Sequence, residues 1–259
     1  MKQAEDFRAV SASVEALVAS LDAADFGRET FFKGWTIDQI LRHLHVWNRA
    51  AYLQLADEEA LKVYLSEVMS AVGEGGLTTF EEKHLDGLSG KALFDTWRGF
   101  SPAMADEFAQ ADPAQRLLWA GPTMSARSSV TARLMETWAH AQAIYDELSV
   151  DREDTDAIEN IVVLGLNTYG FCFKNRGLEA PEPRPKLVLT APSGAAWEFG
   201  EDAGEERIEG RATEFCQVVA QTRNIADTGL KGSGPNATKW MSIAQCFAGP
   251  PNDPPEPGT

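Results

Sequence analysis

Apolar positions recur along most of this chain with the period of an α-helix. Val10, Val14, Leu17 and Leu21 lie three or four residues apart and predict a first helix over residues 3–21. Gly27 and Gly34 bracket a connecting loop. Thr36 followed three residues later by Gln39 is a capping box, so a second helix starts there. Ile37, Ile40, Leu41, Leu44 and Ala51 form its apolar stripe. Residues 57–76 are acidic and read as helical as far as Val72, before the run Gly73-Glu74-Gly75-Gly76. The stretch through His84 to Leu88 reads as loop, with His84 solvated among Glu81, Glu82, Lys83 and Asp86. Ser89 can cap a third bundle helix carrying Leu93, Phe94, Trp97, Phe100, Met104 and Phe108, and Pro102 inside it predicts a kink or break. Asp112-Pro113 opens a loop leading into a further amphipathic helix over residues 133–148.

The pattern then changes. An acidic link over residues 149–156 ends in Asp156, which can cap a helix through Ile161, Val162, Leu164, Leu166, Tyr169 and Phe173, with Gly177 as its end. Pro181, Pro183 and Pro185 make a stiff connector. Residues 186–190 and 196–199 read as paired strands around the turn Pro192-Ser193-Gly194, and residues 207–209 as a third strand. Helices are expected over residues 212–223 and 238–247. The fold class is therefore α+β, mainly α: an N-terminal up-and-down four-helix bundle with a small C-terminal α+β domain. The expected division is a bundle over residues 1–150, a connecting helix and Pro-rich link over 151–182, the α+β domain over 183–250, and a disordered tail over 251–259.

Composition narrows the function. The 259 residues are 44% hydrophobic and 24% charged, as a globular protein with a real core requires. The formal net charge is −16, and no basic stripe appears, which argues against nucleic acid and against an anionic membrane surface as partners. A small-molecule substrate is the expected partner. Three scattered cysteines, Cys172, Cys216 and Cys246, suggest a reducing compartment and no thiolate metal site. No signal-peptide core and no membrane span are present, so the cytoplasm is the expected location.

The candidate chemistry centres on residues 133–148. Glu136 and His140 are four residues apart, one turn along one helix face. Ser129, Ala132, Ala139 and Ala143 share that face, so it is small and polar where a core stripe would be bulky. Two ligand-type side chains need a third. His43 and His45 lie on opposite flanks of the second helix's stripe, and periodicity does not choose between them. Either would complete a His2Glu set, which leaves coordination positions open as catalytic zinc sites do. The plain alternative is a buried carboxylate–imidazole pair that packs helices. Trp119 and Met124 flank the entry to the ligand helix, as a pocket wall or as core plugs. Arg223 is suited to gripping an anionic substrate or to a surface ion pair.

Gly34-Trp35-Thr36, then His43-Leu44, then Glu136-x-Trp138-x-His140 resemble the mycothiol-dependent maleylpyruvate isomerase family, within the DinB-like metal-binding superfamily. Trp119-Ala120-Gly121-Pro122-Thr123-Met124 and the closing Ala244-Gln245-Cys246-Phe247-Ala248-Gly249-Pro250-Pro251 resemble an uncharacterised bacterial branch of it. The resemblance implies one divalent metal ion held by His43, Glu136 and His140, with zinc the first choice and nickel or iron also suited. It also implies a low-molecular-weight thiol, and so a thiol-dependent isomerase or transferase. A hydrolase using metal-bound water, a non-catalytic metal-binding protein, and a dimerisation module forming a homodimer are the alternatives. The chain departs from the family's pattern: Ala141 and Ala143 replace a Gly and an Asp after the second histidine, and Asn48 stands where the branch often has Asp. Asn48 and Arg223 are the candidate catalytic residues. The C-terminal segment resembles a short domain named for wyosine base formation, but the cluster motif that chemistry needs is absent and the charge is wrong for RNA.

Overall fold

A computed structural model describes residues 1–74, 76–121 and 123–258. Gly75 of the glycine run, Pro122 of the shared motif and Thr259 lie outside the described residues, as do the side chains of residues 72–74. The chain divides into two compact units, Met1–Asp151 and Arg152–Thr259.

The first unit contains α1 (Lys2–Val18), α2 (Ile37–Ala56), α3 (Glu58–Glu74), α4 (Leu77–His84), α5 (Gly90–Gln110) and α6 (Ala126–Leu148). A two-stranded ribbon, β1 (Arg116–Leu117) with β2 (Met124–Ser125), precedes α6. Helices α1, α2, α5 and α6 form the four-helix bundle, with α1 and α2 each packed on both α5 and α6. The bundle's core includes Phe7, Leu41, Leu44, Phe94, Trp97 and Trp138, all buried completely. Each such side chain contributes about 1.5–3 kcal/mol by leaving water.

The bundle's directions follow from its cross-links. The Met1 ammonium donates to the Ala109 carbonyl and Arg8 pairs with Asp106, so α1 and α5 run oppositely. Gly90 donates to Asp38 at one end and Asn48 to Ser101 further along, so α2 and α5 run the same way. The alternation expected of an up-and-down bundle is thus interrupted once. Two parallel neighbours need a long connection, and α3 with α4 supplies it.

Helix α4 replaces the loop expected near His84. Leu77, Phe80, Glu81 and His84 fall on one face, and Phe80 and Glu81 are buried. Two of those four positions carry polar residues, which hid the stripe. His84 is half-buried rather than free in solvent: its ring lies 4.7 Å from Tyr64 and 5.3 Å from Phe80. Ser89 occupies the cap position of α5 without a side-chain hydrogen bond, and Asp38 accepts the Gly90 N–H instead. Helix α5 runs through Pro102, because its buried face continues on both sides in Trp97, Met104 and Phe108. No helix among the described residues is long and apolar enough to cross a membrane.

The second unit holds α7 (Glu159–Asn167), α8 (Tyr169–Asn175), β3 (Lys186–Thr190), β4 (Ala196–Phe199), β5 (Arg207–Arg211), α9 (Ala212–Val219), β6 (Lys231–Ser233) and α10 (Pro235–Met241). The sheet order is β4-β3-β5-β6, with β3 and β5 parallel and the other pairs antiparallel. Strand β6 was not expected, because Lys231, Gly232 and Ser233 are all exposed and carry no alternation. Thr155, rather than Asp156, caps the turn before α7, and Asp156 accepts the Ser193 N–H. The closing residues carry hydrogen bonds to the unit. Arg176 pairs with Asp253, Asn224 donates to the Pro255 carbonyl, and Gly258 donates to Asp227.

Buried Glu206 accepts the N–H groups of Asn236 and Ala237 at 3.1 and 2.8 Å, where α10 begins. Gly234 precedes it at φ 83, and a Cβ there would come within 2.5 Å of the Glu206 carboxyl group. Glu206→Ala is expected to lower stability by about 1–3 kcal/mol, since it strands buried donors. Urea unfolding monitored by circular dichroism checks this, and an unchanged midpoint would contradict it.

Candidate metal centre

Two helices position the site. Thr36 accepts from the Gln39 N–H and Gln39 reaches back to Thr36, so the predicted capping box fixes the start of α2. Ser125 caps α6 by accepting from Ser128. The two helices run oppositely, and their polar residues meet in order. Gln54 accepts from the Ser129 hydroxyl, Asn48 meets Arg133, and His43 meets Glu136 and His140. The small residues of α6 therefore leave room for a polar seam.

At the end of that seam, one ligand atom from each of His43, Glu136 and His140 lies within 4.8 Å of the others. Both imidazoles turn Nε2 toward the same carboxylate oxygen: His140 Nε2 is 3.2 Å and His43 Nε2 is 3.8 Å from Glu136 Oε2. The Glu136 side chain remains 27% exposed, while the two histidine side chains are largely covered. This donor set suits a divalent metal. Two imidazole nitrogens and one carboxylate converge from two helices, and the carboxylate edge stays open to solvent. Among the described residues this is the group of His, Cys, Asp and Glu placed to hold a metal ion.

Charge is arranged to suit. Burial alone would raise the Glu136 pKa, but hydrogen bonds from His140 and His43 and the nearby Arg133 charge hold it well below the usual carboxylate range. Burial opposes a charged His43, yet its bonds to Glu136 and Glu81 raise its pKa. Burial lowers that of His140, and the charges of His43 and Arg133 push the same way against Glu136.

Aromatic rings enclose the histidines. Trp35 stacks parallel to His140 with centroids 5.9 Å apart, Phe32 meets the same ring edge-on at 4.9 Å, and Trp35 also lies 5.4 Å from His43. Trp47 packs 6.2 Å from His43. Trp119 meets Trp47 edge-on at 5.7 Å, so it sits one ring removed from His43. Met124 lies half-buried in β2 opposite Leu117.

The remaining candidates have other partners. His45 is not a partner of Glu136 or His140. It is buried beside Phe100, and burial with the charges of Arg49 and His84 lowers its pKa to about 4. Asn48 is completely buried, donates to Ser101 at 3.4 Å and accepts from Arg133 at 3.1 Å. Arg223 belongs to the second unit, where it donates to the Thr222 carbonyl. Sequence reasoning missed Glu81, Arg133, Phe32 and Trp47. Glu81 Oε1 lies 2.8 Å from His43 Nδ1 and accepts from Trp47 Nε1 at 3.0 Å. A glutamate three residues from a histidine and one position after phenylalanine carries no such signal by itself. Arg133 lies one turn before Glu136, a spacing that was available to notice.

Comparison with known proteins bears on this site. A family model described as the mycothiol maleylpyruvate isomerase N-terminal domain matches residues 7–145, which include all three converging residues. Two proteins of Mycobacterium tuberculosis, from strains CDC 1551 and H37Rv and both named as uncharacterised, are each 34% identical to the chain over 246 residues. That match covers 95% of the chain and 95% of each relative. A crystal structure of the mycothiol-dependent maleylpyruvate isomerase superposes with a TM-score of 0.55 at 16% identity, covering 85% of this chain and 88% of that one. A histidine-to-alanine mutant of the isomerase superposes with the same score at 17% identity, covering 91% and 94%. These likenesses carry the fold over most of both chains.

Proposed function

The chain belongs to the mycothiol maleylpyruvate isomerase N-terminal domain family, and on that premise we propose that His43, Glu136 and His140 hold a divalent metal ion serving thiol-dependent isomerase or transferase chemistry on a small organic molecule. The observation that carries the reading is the convergence of both Nε2 atoms on one Glu136 oxygen. Zinc suits two imidazoles and a carboxylate, and nickel and iron are the other candidates. A divalent ion at this position supplies Lewis acidity, which lowers the pKa of a thiol or water brought to it.

The chain's own residues have separable roles in this reading. His43 and His140 offer neutral nitrogens, and Glu136 offers the negative charge. Phe32, Trp35 and Trp47 exclude water from the histidine side of the trio, which strengthens electrostatic interactions there. Trp119 and Met124 are proposed to line the substrate's approach. Arg223 is proposed to grip an anionic substrate group, as guanidinium suits carboxylates. Asn48, bonded to Ser101 and Arg133, is proposed to support the site by holding Arg133 rather than by touching substrate. A closed structural staple would cover all its ligands; the exposed edge of Glu136 favours an exchangeable position instead.

The test is an isomerisation assay with maleylpyruvate as substrate and mycothiol as thiol, run with and without added metal. The reading predicts turnover that requires both, or, with another substrate, a thiol-induced change in the visible spectrum of cobalt-loaded protein. A metal-loaded protein whose spectrum ignores thiols, with no thiol-dependent turnover, would contradict it.

A further inference from the structure

The described structure places one carboxylate where packing alone would call for an apolar side chain. Glu81 is 1% exposed, on the inward stripe of α4 beside buried Phe80. Burying a carboxylate is costly unless it is hydrogen-bonded. Both its bonds converge on Oε1, from His43 Nδ1 and from Trp47 Nε1. Those donors sit one turn apart on α2. Trp47 needs only a neutral acceptor, so it does not account for a buried charge at this position. His43 does.

We propose that Glu81 is a positioning residue for the metal centre: carried by the crossover helix α4, it holds His43 as the Nδ1–H tautomer and keeps Nε2 turned to Glu136 and His140. A carboxylate accepts and does not donate. The proton shared with Glu81 therefore belongs to Nδ1, so when the ring loses its second proton the lone pair is left on Nε2, the atom facing Glu136. Such carboxylate–histidine pairs fix ring orientation and raise ligand basicity at metal sites. The inference rests on reading the trio as a metal centre. The long α3–α4 connection thereby does more than join two helices. The segment that lets α2 and α5 run parallel also delivers the group that orients the α2 ligand.

The test has two readouts. The first is the imidazole nitrogen–proton correlation spectrum of metal-free protein in alkaline buffer, with His43 assigned by substitution. Wild type should show His43 protonated on Nδ1. Glu81→Gln keeps an acceptor and should keep that tautomer, whereas Glu81→Leu should lose it. The second readout is titration with zinc(II) alone. Affinity should fall about 10-fold in Glu81→Gln and about 100-fold in Glu81→Leu. Phe80→Ala, which loosens α4 without touching His43, should lower thermal stability and leave zinc affinity within a few-fold of wild type. If Glu81→Leu does not fold, Glu81→Gln carries the test. Wild-type His43 protonated on Nε2, zinc affinity unchanged in the Glu81 variants, or an equal loss in Phe80→Ala would each overturn the assignment. A wild type that shows the Nδ1–H tautomer but takes up no zinc would remove the metal reading and leave the role of Glu81 in fixing the tautomer standing.

Discussion

Alanine at His43, Glu136 or His140 will leave the bundle folded and reduce divalent-metal affinity by more than the 10–100-fold that follows loss of an outer hydrogen-bond partner. Among the described residues the cluster offers three protein ligand atoms, one from each side chain, so two remain after any substitution. Two ligands on a partly open edge do not hold an ion against water and buffer. The same measurement on His45→Ala and His84→Ala should return wild-type affinity. His45 packs against Phe100, and His84 packs against Tyr64 and Phe80, away from Glu136. Competition titration with a chromophoric chelator reads both sets. If His45→Ala loses the metal and His43→Ala retains it, the ligand assignment on α2 is wrong. Far-ultraviolet circular dichroism separates ligand loss from unfolding, since the apolar bundle core does not depend on these three side chains.

The second large effect is on stability. Arg133 is buried, and its Nε donates to Asn48 Oδ1. Asn48 is completely buried and donates in turn to Ser101, whose hydroxyl donates to the Trp97 carbonyl. Asn48→Leu removes the acceptor and leaves a buried guanidinium short of a partner. The expected cost is about 3 kcal/mol, because a charged donor stranded in the core loses its hydration without replacement. Arg133→Met combined with Asn48→Leu removes the charge that the single substitution strands. The two changes should therefore be non-additive by at least about 1 kcal/mol, as expected for groups in one network. Urea unfolding of the two single variants and the double variant measures the coupling. Additive costs would mean that Asn48 and Arg133 do not depend on each other. The same network gives a physical reason for an amide at position 48: it offers Arg133 an acceptor and Ser101 a donor at once, which a carboxylate does not.

Much of this arrangement was legible in the chain. Thr36 and Gln39 marked the start of α2 to the residue, because a capping box is local and needs no tertiary partner. Glu136 and His140 were legible as a pair because four residues along a helix is one turn. Periodicity did not choose between His43 and His45, since both flanks of α2 are buried, with His43 8% and His45 3% exposed. The family resemblance pointed to His43, and the packing of α6 against that flank brings it beside Glu136 and His140. Helix α4 was hidden because its inward stripe carries Glu81 and His84, and a periodicity reading counts these as outward-facing. Glu81's partner is 38 residues away, on another helix. No spacing rule links them. Strand β6 is three exposed residues whose state is set by pairing with Arg207, Ile208 and Glu209 of β5. The sequence placed Glu136 and His140 one turn apart on α6, and long-range contacts bring His43 and Glu81 to them.

The most direct test of the metal centre is elemental analysis by plasma mass spectrometry of protein purified without a histidine tag or chelator, beside His140→Ala prepared identically. A transition metal is expected in roughly equimolar amount in the wild type, as a three-ligand site of this kind holds, and none in the variant. A wild type that carries no metal and takes up none on addition would contradict the metal centre and leave Glu136 and His140 as a packing pair.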